Sequence, residues 1–171
     1  MIRLAGGLMV CAACGWVGWR RWSWYRERRQ TLSDAVHAID RMSAELNACQ
    51  TDTAALLALL AQAQDRCAPL FARCLDGLDH LNERPFARIW DQALRESTLP
   101  LREEERALLR RVGSVLGRYE GQEQARLLSG LRRALEGSLE DAREEERRLG
   151  RLSLILGLSV GLLLVLLIMP G

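Results

Sequence analysis

Apolar residues recur at intervals of three and four along most of the chain. The first such series comprises Leu32, Val36, Ile39, Met42, Leu46 and Cys49, which step by 4, 3, 3, 4 and 3. This spacing places all six side chains on one face of an α-helix, as expected of a helix that packs against a core. Because no run alternates apolar and polar residues as a half-buried strand would, the pattern predicts an all-α fold.

Five further segments repeat the helical spacing, and short connections separate them. The second helix carries Leu56–Leu60, with Thr51 or Asp52 as its N-cap, and the third carries Leu70–Leu81 and starts near Pro69. The fourth carries Phe86–Leu94 after Pro85, the fifth starts at Pro100, and the sixth starts at about Gln122 and carries Leu128–Ala142. Proline is tolerated in the first turn of a helix, so the three prolines are compatible with these starts. Six amphipathic helices joined in this way predict a roughly six-helix antiparallel bundle.

Two apolar segments flank the bundle. Residues 152–169 contain no charge, and 18 residues at 1.5 Å rise reach about 27 Å, close to the hydrocarbon thickness of a bilayer. Residues 4–19 form a shorter apolar run, followed by a cluster of aromatic residues and arginines that suits a membrane interface. We therefore predict an N-terminal transmembrane segment at 1–25, a cytoplasmic helical bundle at 26–150 and a C-terminal transmembrane segment at 151–171.

A cleaved signal peptide is the alternative for the first apolar run. Ala12-Ala13-Cys14 loosely resembles a lipoprotein cleavage site, but the position three before Cys14 is Cys11 rather than a large aliphatic residue. Five arginines between residues 20 and 29 would also resist translocation. These features favour an uncleaved span.

The charge distribution predicts an orientation in the membrane. Residues 30–150 hold 17 Arg and 21 acidic residues, whereas the excess of positive charge lies beside the apolar ends. Arginines flanking apolar segments are typical of membrane proteins, and nucleic-acid binding would require a basic face on the folded domain instead. Because the arginines cluster after the first run and before the second, we expect both termini outside and the central domain in the cytoplasm.

No residue pattern predicts a catalytic, cofactor or metal site. His37 and His80 are isolated, and the consecutive carboxylates Glu103–Glu105 and Glu144–Glu146 fan around a helix, so we expect solvated faces. Cys11 and Cys14 form a C-x-x-C within an apolar segment, without a second pair or a βαβ context. In a reducing cytoplasm, the other cysteines (Cys49, Cys67 and Cys74) are expected to be free buried thiols.

Gly113 and Gly117 stand four apart in the fifth predicted helix, which we expect to continue past both. Each glycine in a helix interior costs about 1 kcal/mol relative to alanine, so the pair needs a reason. A small-x-x-x-small pair allows another backbone to approach closely, either inside the bundle or from a partner. We predict an interaction surface that comprises Gly113, Gly117, Arg118, Glu120 and Gln124.

The chain resembles the stage III sporulation protein AB family over nearly its whole length, and the resemblance includes the stretch that contains these residues. Its most specific part is Val112-Gly113, Leu116-Gly117, Glu120 and Gln124. Supporting matches are Ala44-Glu45-Leu46, Trp90 with Leu94, and the Glu/Arg-rich residues 144–148 before Leu156-Gly157. The chain departs from the family at three places. It has Thr51-Asp52 where the family often has threonine-proline, Val112 where the family has phenylalanine, and Glu120 where the family usually has aspartate.

The resemblance implies a fold, a function and partners. The family is similar to the helical cytoplasmic domain of type II secretion and type IV pilus inner-membrane platform proteins. For this chain, the resemblance implies a non-enzymatic platform subunit of the secretion-like channel that links mother cell and forespore. The subunit would lie in the outer forespore membrane, on the mother-cell side. The expected partners are a cytosolic secretion-type ATPase, other membrane subunits of the channel and the lipid bilayer, with a homo-oligomer as a further option and no cofactor.

A second function class remains open from the sequence. A helical membrane sensor or regulator that dimerises through its first and sixth helices would show the same amphipathic pattern and the same apolar ends. A membrane-bound enzyme ranks below both, because no convergent set of polar residues is visible in the sequence.

Overall fold

A computed structural model describes residues 2–49, 53–78, 85–116 and 121–168 of the chain. Within these ranges the structure contains six helices and no strand, which confirms the predicted all-α fold. The helices are α1 Ile2–Cys49, α2 Thr53–Ala61, α3 Ala68–Gly77, α4 Phe86–Glu96, α5 Glu103–Leu116 and α6 Gly121–Ile168. None of the helices, over the residues described, has a stretch both long and apolar enough to cross a membrane.

The chain divides into two compact units. One comprises residues 30–140, and the other comprises residues 1–29 together with residues 141–171. The long helices α1 and α6 each contribute to both units, whereas α2 to α5 lie entirely in residues 30–140.

The core of the 30–140 unit is built from the predicted apolar faces. Four of the six residues that define the first helical series are buried (Leu32, Val36, Ile39 and Met42), as are Leu128, Leu135 and Leu139 of α6. Helix α2 packs on α3, and α4 packs on both α3 and α5. Side chains as large as Leu32 and Leu135 are completely excluded from solvent, whereas Leu59 is 49% exposed, so the periodic pattern identified most of the inward faces.

The helix starts follow from local chemistry. Pro85 is the N-cap of α4, as predicted, and Pro69 lies in the first turn of α3, where its missing N–H costs no hydrogen bond. The predicted start of α5 at Pro100 is three residues early. The Glu105 carboxylate accepts a hydrogen bond from the Arg102 N–H at 2.7 Å, which is one half of a capping box and makes Arg102 the residue before the first turn.

Glu105 also corrects the expectation that the carboxylate runs are solvated. Its side chain is only 2% exposed because it is committed to the helix cap, whereas Glu103 and Glu104 are exposed. Glu145 and Glu146 are half-buried and bind arginines of α1, so only Glu144 of that run is fully exposed. Tertiary partners, which helical spacing does not reveal, account for both differences.

Ion pairs join α1 and α6 within the unit formed by residues 1–29 and 141–171. The Arg28 guanidinium donates to Glu145 at 2.7 Å, and Arg29 pairs with Glu146. The Arg28 side chain is 2% exposed and its Cζ lies 6.0 Å from the ring centroid of Trp24. A buried guanidinium needs such partners, because desolvation of an unpaired charge would be strongly destabilising.

Candidate interaction surface

Trp90 organises the contact between α4 and α5. Its side chain is 1% exposed, and its ring centroid lies 5.9 Å from that of Phe71 and 6.1 Å from that of Phe86. The indole Nε1–H donates a hydrogen bond of 2.8 Å to the carbonyl oxygen of Leu109. A buried indole N–H requires an acceptor, and here the acceptor fixes the ring against the surface of α5.

Gly113 lies one turn after Leu109, where the Trp90 ring meets α5. A Cβ atom added at Gly113 would overlap Cγ and Cδ1 of Trp90 and would lie 2.7 Å from its Cβ. These atoms are at the root of the tryptophan side chain, so a rotamer change could not relieve the overlap without moving the ring out of its site. For Gly113, therefore, the close approach that the glycine permits is made inside the bundle, by Trp90.

A second glycine serves the same purpose at the junction of α3 and α4. A Cβ atom at Gly77, the last residue of α3, would overlap Cγ2 of Ile89. By contrast, a Cβ atom at Gly130 or Gly137 of α6 would meet nothing within 4 Å. Packing thus requires glycine at Gly77 and Gly113 but not at Gly130 or Gly137.

The other residues of the predicted surface are distributed as follows. Gly117, Arg118 and Glu120 lie outside the described residues, which stop at Leu116 of α5 and resume in α6. Gln124 lies in the second turn of α6 with its side chain 6% exposed. The structure thus assigns an internal contact to Gly113 and burial to Gln124, while a partner contact at the remaining positions stays a prediction.

The solvent side of α4 carries a polar network that reaches α5. Asp91 accepts hydrogen bonds from Arg110 of α5 at 2.6 Å and pairs with Arg95, one turn later, at 2.8 Å. The hydrogen bond from Arg110 is the main reason that the pKa of Asp91 lies below its usual value. An open cleft of about 470 Å³ lies along this face of α4, lined by Arg88, Asp91, Gln92 and Arg95.

This α4 face was not singled out from the sequence. The i,i+4 spacing of Asp91 and Arg95 was visible, but the link from Asp91 to Arg110 spans 19 residues and depends on how α4 packs on α5. Exposed polar groups held on two packed helices can contact a protein partner by hydrogen bonds and ion pairs.

Two cysteines and one histidine can also be placed. Cys67 and Cys74 are free buried thiols, as predicted, and the Cys67 thiol donates to the Thr31 carbonyl oxygen at 3.8 Å. Burial raises the pKa of the Cys67 thiol above its usual value and raises that of Cys74 to about 12. His37 is exposed, whereas His80 lies outside the described residues. In the described part of the chain, no group of three or more His, Cys, Asp or Glu residues could hold a metal ion.

The described residues define a class of protein: an all-α chain in which four shorter helices lie, in sequence, between two 48-residue helices. The family model of stage III sporulation protein AB matches residues 3–169, and the chain therefore belongs to this family. Stage III sporulation protein AB of Bacillus subtilis (strain 168) is 27% identical over 172 residues, covering 99% of this chain and 100% of the relative.

A solved structure gives the same result for the fold. The structure of a stage III sporulation protein AB superposes with a TM-score of 0.64 at 25% sequence identity. It covers 71% of this chain and 98% of the solved chain. The resemblance identified from the glycine stretch is thereby confirmed, and with it the assignment to stage III sporulation.

Proposed function

We propose that this chain is a non-enzymatic membrane platform subunit of a secretion-like channel complex between mother cell and forespore, and that its 30–140 unit docks a cytosolic secretion-type ATPase. Membership of the stage III sporulation protein AB family over residues 3–169 is the observation that carries the proposal. The packing of the helical unit is compatible with a docking role, because Trp90 and Gly113 fix α4 on α5 and leave the polar side of α4 exposed.

Membrane attachment is the second part of the proposal. It is supported by the 18 uncharged residues 152–169 and by the arginines that precede them. We propose that residues 1–25 and 151–171 hold the chain in the outer forespore membrane, with the central unit in the mother-cell cytoplasm and both termini on the other side.

Labelling of single cysteines tests this topology. In a background with the five native cysteines replaced, Gln92→Cys places a thiol on the exposed side of α4, and a cysteine appended after Gly171 marks the C-terminus. In intact vegetative cells that express the chain in their cell membrane, a membrane-impermeant maleimide should label the appended cysteine and should reach Gln92→Cys only after the membrane is permeabilised. Labelling of Gln92→Cys alone in intact cells would reverse the proposed orientation.

Affinity capture from sporulating cells tests the docking role. The full chain should recover a cytosolic ATPase, and Gly117→Leu should lose it if the segment after α5 belongs to the docking surface. Gly130→Leu is a matched control, since Gly130 is exposed on α6 and has nothing within 4 Å of its Cβ position. Recovery of a second copy of this chain without an ATPase would instead support the dimeric sensor or regulator.

A further inference from the structure

A segment of α1 near its N-terminal end exposes large apolar side chains. Trp16 is 62% exposed, Val17 66%, Trp19 51% and Trp24 38%. The rings of Trp16 and Trp19 contact each other, with centroids 5.6 Å apart. Three exposed indoles on a nine-residue stretch form an apolar patch that a water-facing helix would not tolerate without a partner.

Positive charge is interleaved with these rings. Arg20 and Arg21 are both exposed, and Arg20 lies one helical turn from Trp16 and one turn from Trp24. Residues 2–26 contain no aspartate or glutamate, so the segment has no acidic residue of its own to offset these charges. Arg28 and Arg29, by contrast, bind Glu145 and Glu146 of α6.

The two kinds of side chain line one cleft. Val17, Arg20, Arg21, Trp24 and Tyr25 surround an open space of about 440 Å³. Among the lining residues, Tyr25 is 8% exposed, whereas Arg20 and Arg21 are both exposed. A ligand in this cleft would meet two aromatic side chains and two positively charged ones.

We infer that this cleft binds the headgroup of an anionic phospholipid at the bilayer interface. Indole rings partition to the level of the headgroups, and guanidinium groups bind phosphate oxygens through paired N–H donors. An acidic peptide bound in the cleft would match the arginines but would leave the exposed Trp16 and Trp19, which are not among the lining residues, in water. The inference rests on the proposed membrane attachment and adds to it a preference for negatively charged lipid.

The test uses the full chain in nonionic detergent micelles, with short-chain phosphatidylglycerol and phosphatidylcholine as ligands and tryptophan emission as the signal. Charge-assisted hydrogen bonds from two guanidinium groups to one lipid phosphate should give a severalfold preference for anionic phosphatidylglycerol over zwitterionic phosphatidylcholine. Arg20→Gln combined with Arg21→Gln should abolish that preference. Arg126→Gln combined with Arg133→Gln removes the same charge from an exposed part of α6 and should retain it.

Three results would overturn the inference: equal affinity of the wild-type chain for both lipids, an unchanged preference in the Arg20/Arg21 double variant, or displacement of phosphatidylglycerol by millimolar inorganic phosphate. The last result would indicate a site for free phosphate. An alkaline carbonate wash of membranes separates this inference from the function on which it rests. A chain that stays in the membrane without lipid preference contradicts only the headgroup site, whereas a chain that washes off contradicts the membrane attachment.

Discussion

Replacement of Gly113 by alanine tests the packing of α4 on α5 with a single methyl group. Helix propensity alone would favour alanine at this position by about 1 kcal/mol. The structure opposes this, since the added Cβ would overlap the Trp90 ring and lie 2.7 Å from its Cβ. Overpacking of this kind costs about 1–3 kcal/mol, and displacement of the ring would also weaken the Trp90–Leu109 hydrogen bond, worth about 1 kcal/mol.

The net effect of Gly113→Ala is therefore a destabilisation of about 1–3 kcal/mol. Gly113→Leu should cost more, up to the roughly 3–5 kcal/mol typical of losing a buried tryptophan altogether. For a domain of this size, 1 kcal/mol corresponds to a change in Tm of about 4 °C. Gly113→Ala should thus lower the Tm by about 4–12 °C.

A fragment of residues 30–140 offers a direct assay. We expect it to be soluble and helical, because it forms a compact unit with its own core, and Trp90 is the only one of the five tryptophans that it contains. Its unfolding can be followed by circular dichroism and by Trp90 emission. A spectrum dominated by strand or disorder would contradict the fold of the isolated unit.

Gly130→Ala is the matched control, because it makes the same substitution in a helix where the added Cβ meets nothing within 4 Å. It should stabilise the fragment by up to about 1 kcal/mol through helix propensity alone. The reasoning would be refuted if Gly113→Ala were as stable as Gly130→Ala. In a Trp90→Leu background the penalty of Gly113→Ala should shrink, since the two positions are in contact and their effects are not additive.

Three further predictions concern the same unit. Glu105→Ala should destabilise it by about 0.5–2 kcal/mol through loss of the Arg102 cap, as measured by chemical unfolding. The thiols of Cys67 and Cys74 should resist maleimide at pH 8 until the protein is unfolded, since burial raises the pKa of both; rapid modification of the native state would contradict their burial. The pKa of Asp91 in the folded state lies below its value of 3.8 in the unfolded chain, so ionised Asp91 stabilises the fold above pH 3.8, and this contribution is lost as the pH falls through the lower folded pKa. In Asp91→Asn, the free energy of unfolding should therefore fall less steeply with acid than in the wild type.

The helical elements could be predicted from sequence because each depends on local information. Period-3.6 apolar spacing identified several buried residues of α1 and α6, such as Leu32 and Leu135, and Pro85 marked the start of α4. The start of α5 was predicted three residues too early, because Pro100 is a conspicuous helix-start signal in the sequence. The hydrogen bond from the Arg102 N–H to the Glu105 carboxylate, which marks the actual start, is not.

The packing contact of Gly113 was predictable only in part, because it joins residues distant in sequence. The need of Gly113 for a close neighbour followed from the cost of glycine in a helix, but the identity of that neighbour did not, since Trp90 lies 23 residues earlier in the chain. The polar link between Asp91 and Arg110 was missed for the same reason. Residue types indicate that a contact is required, whereas the packing of helices decides which residue makes it.

The docking role is tested most directly by calorimetric titration of the purified cytosolic ATPase into the folded 30–140 fragment. The account predicts saturable binding that is retained in Gly130→Ala, because that substitution changes no contact within the unit. It also predicts weaker binding of a Gly117→Leu fragment whose unfolding transition is unchanged. A wild-type fragment that shows a cooperative unfolding transition and a buried Trp90, yet gives no heat of binding with the ATPase, would contradict the proposed function.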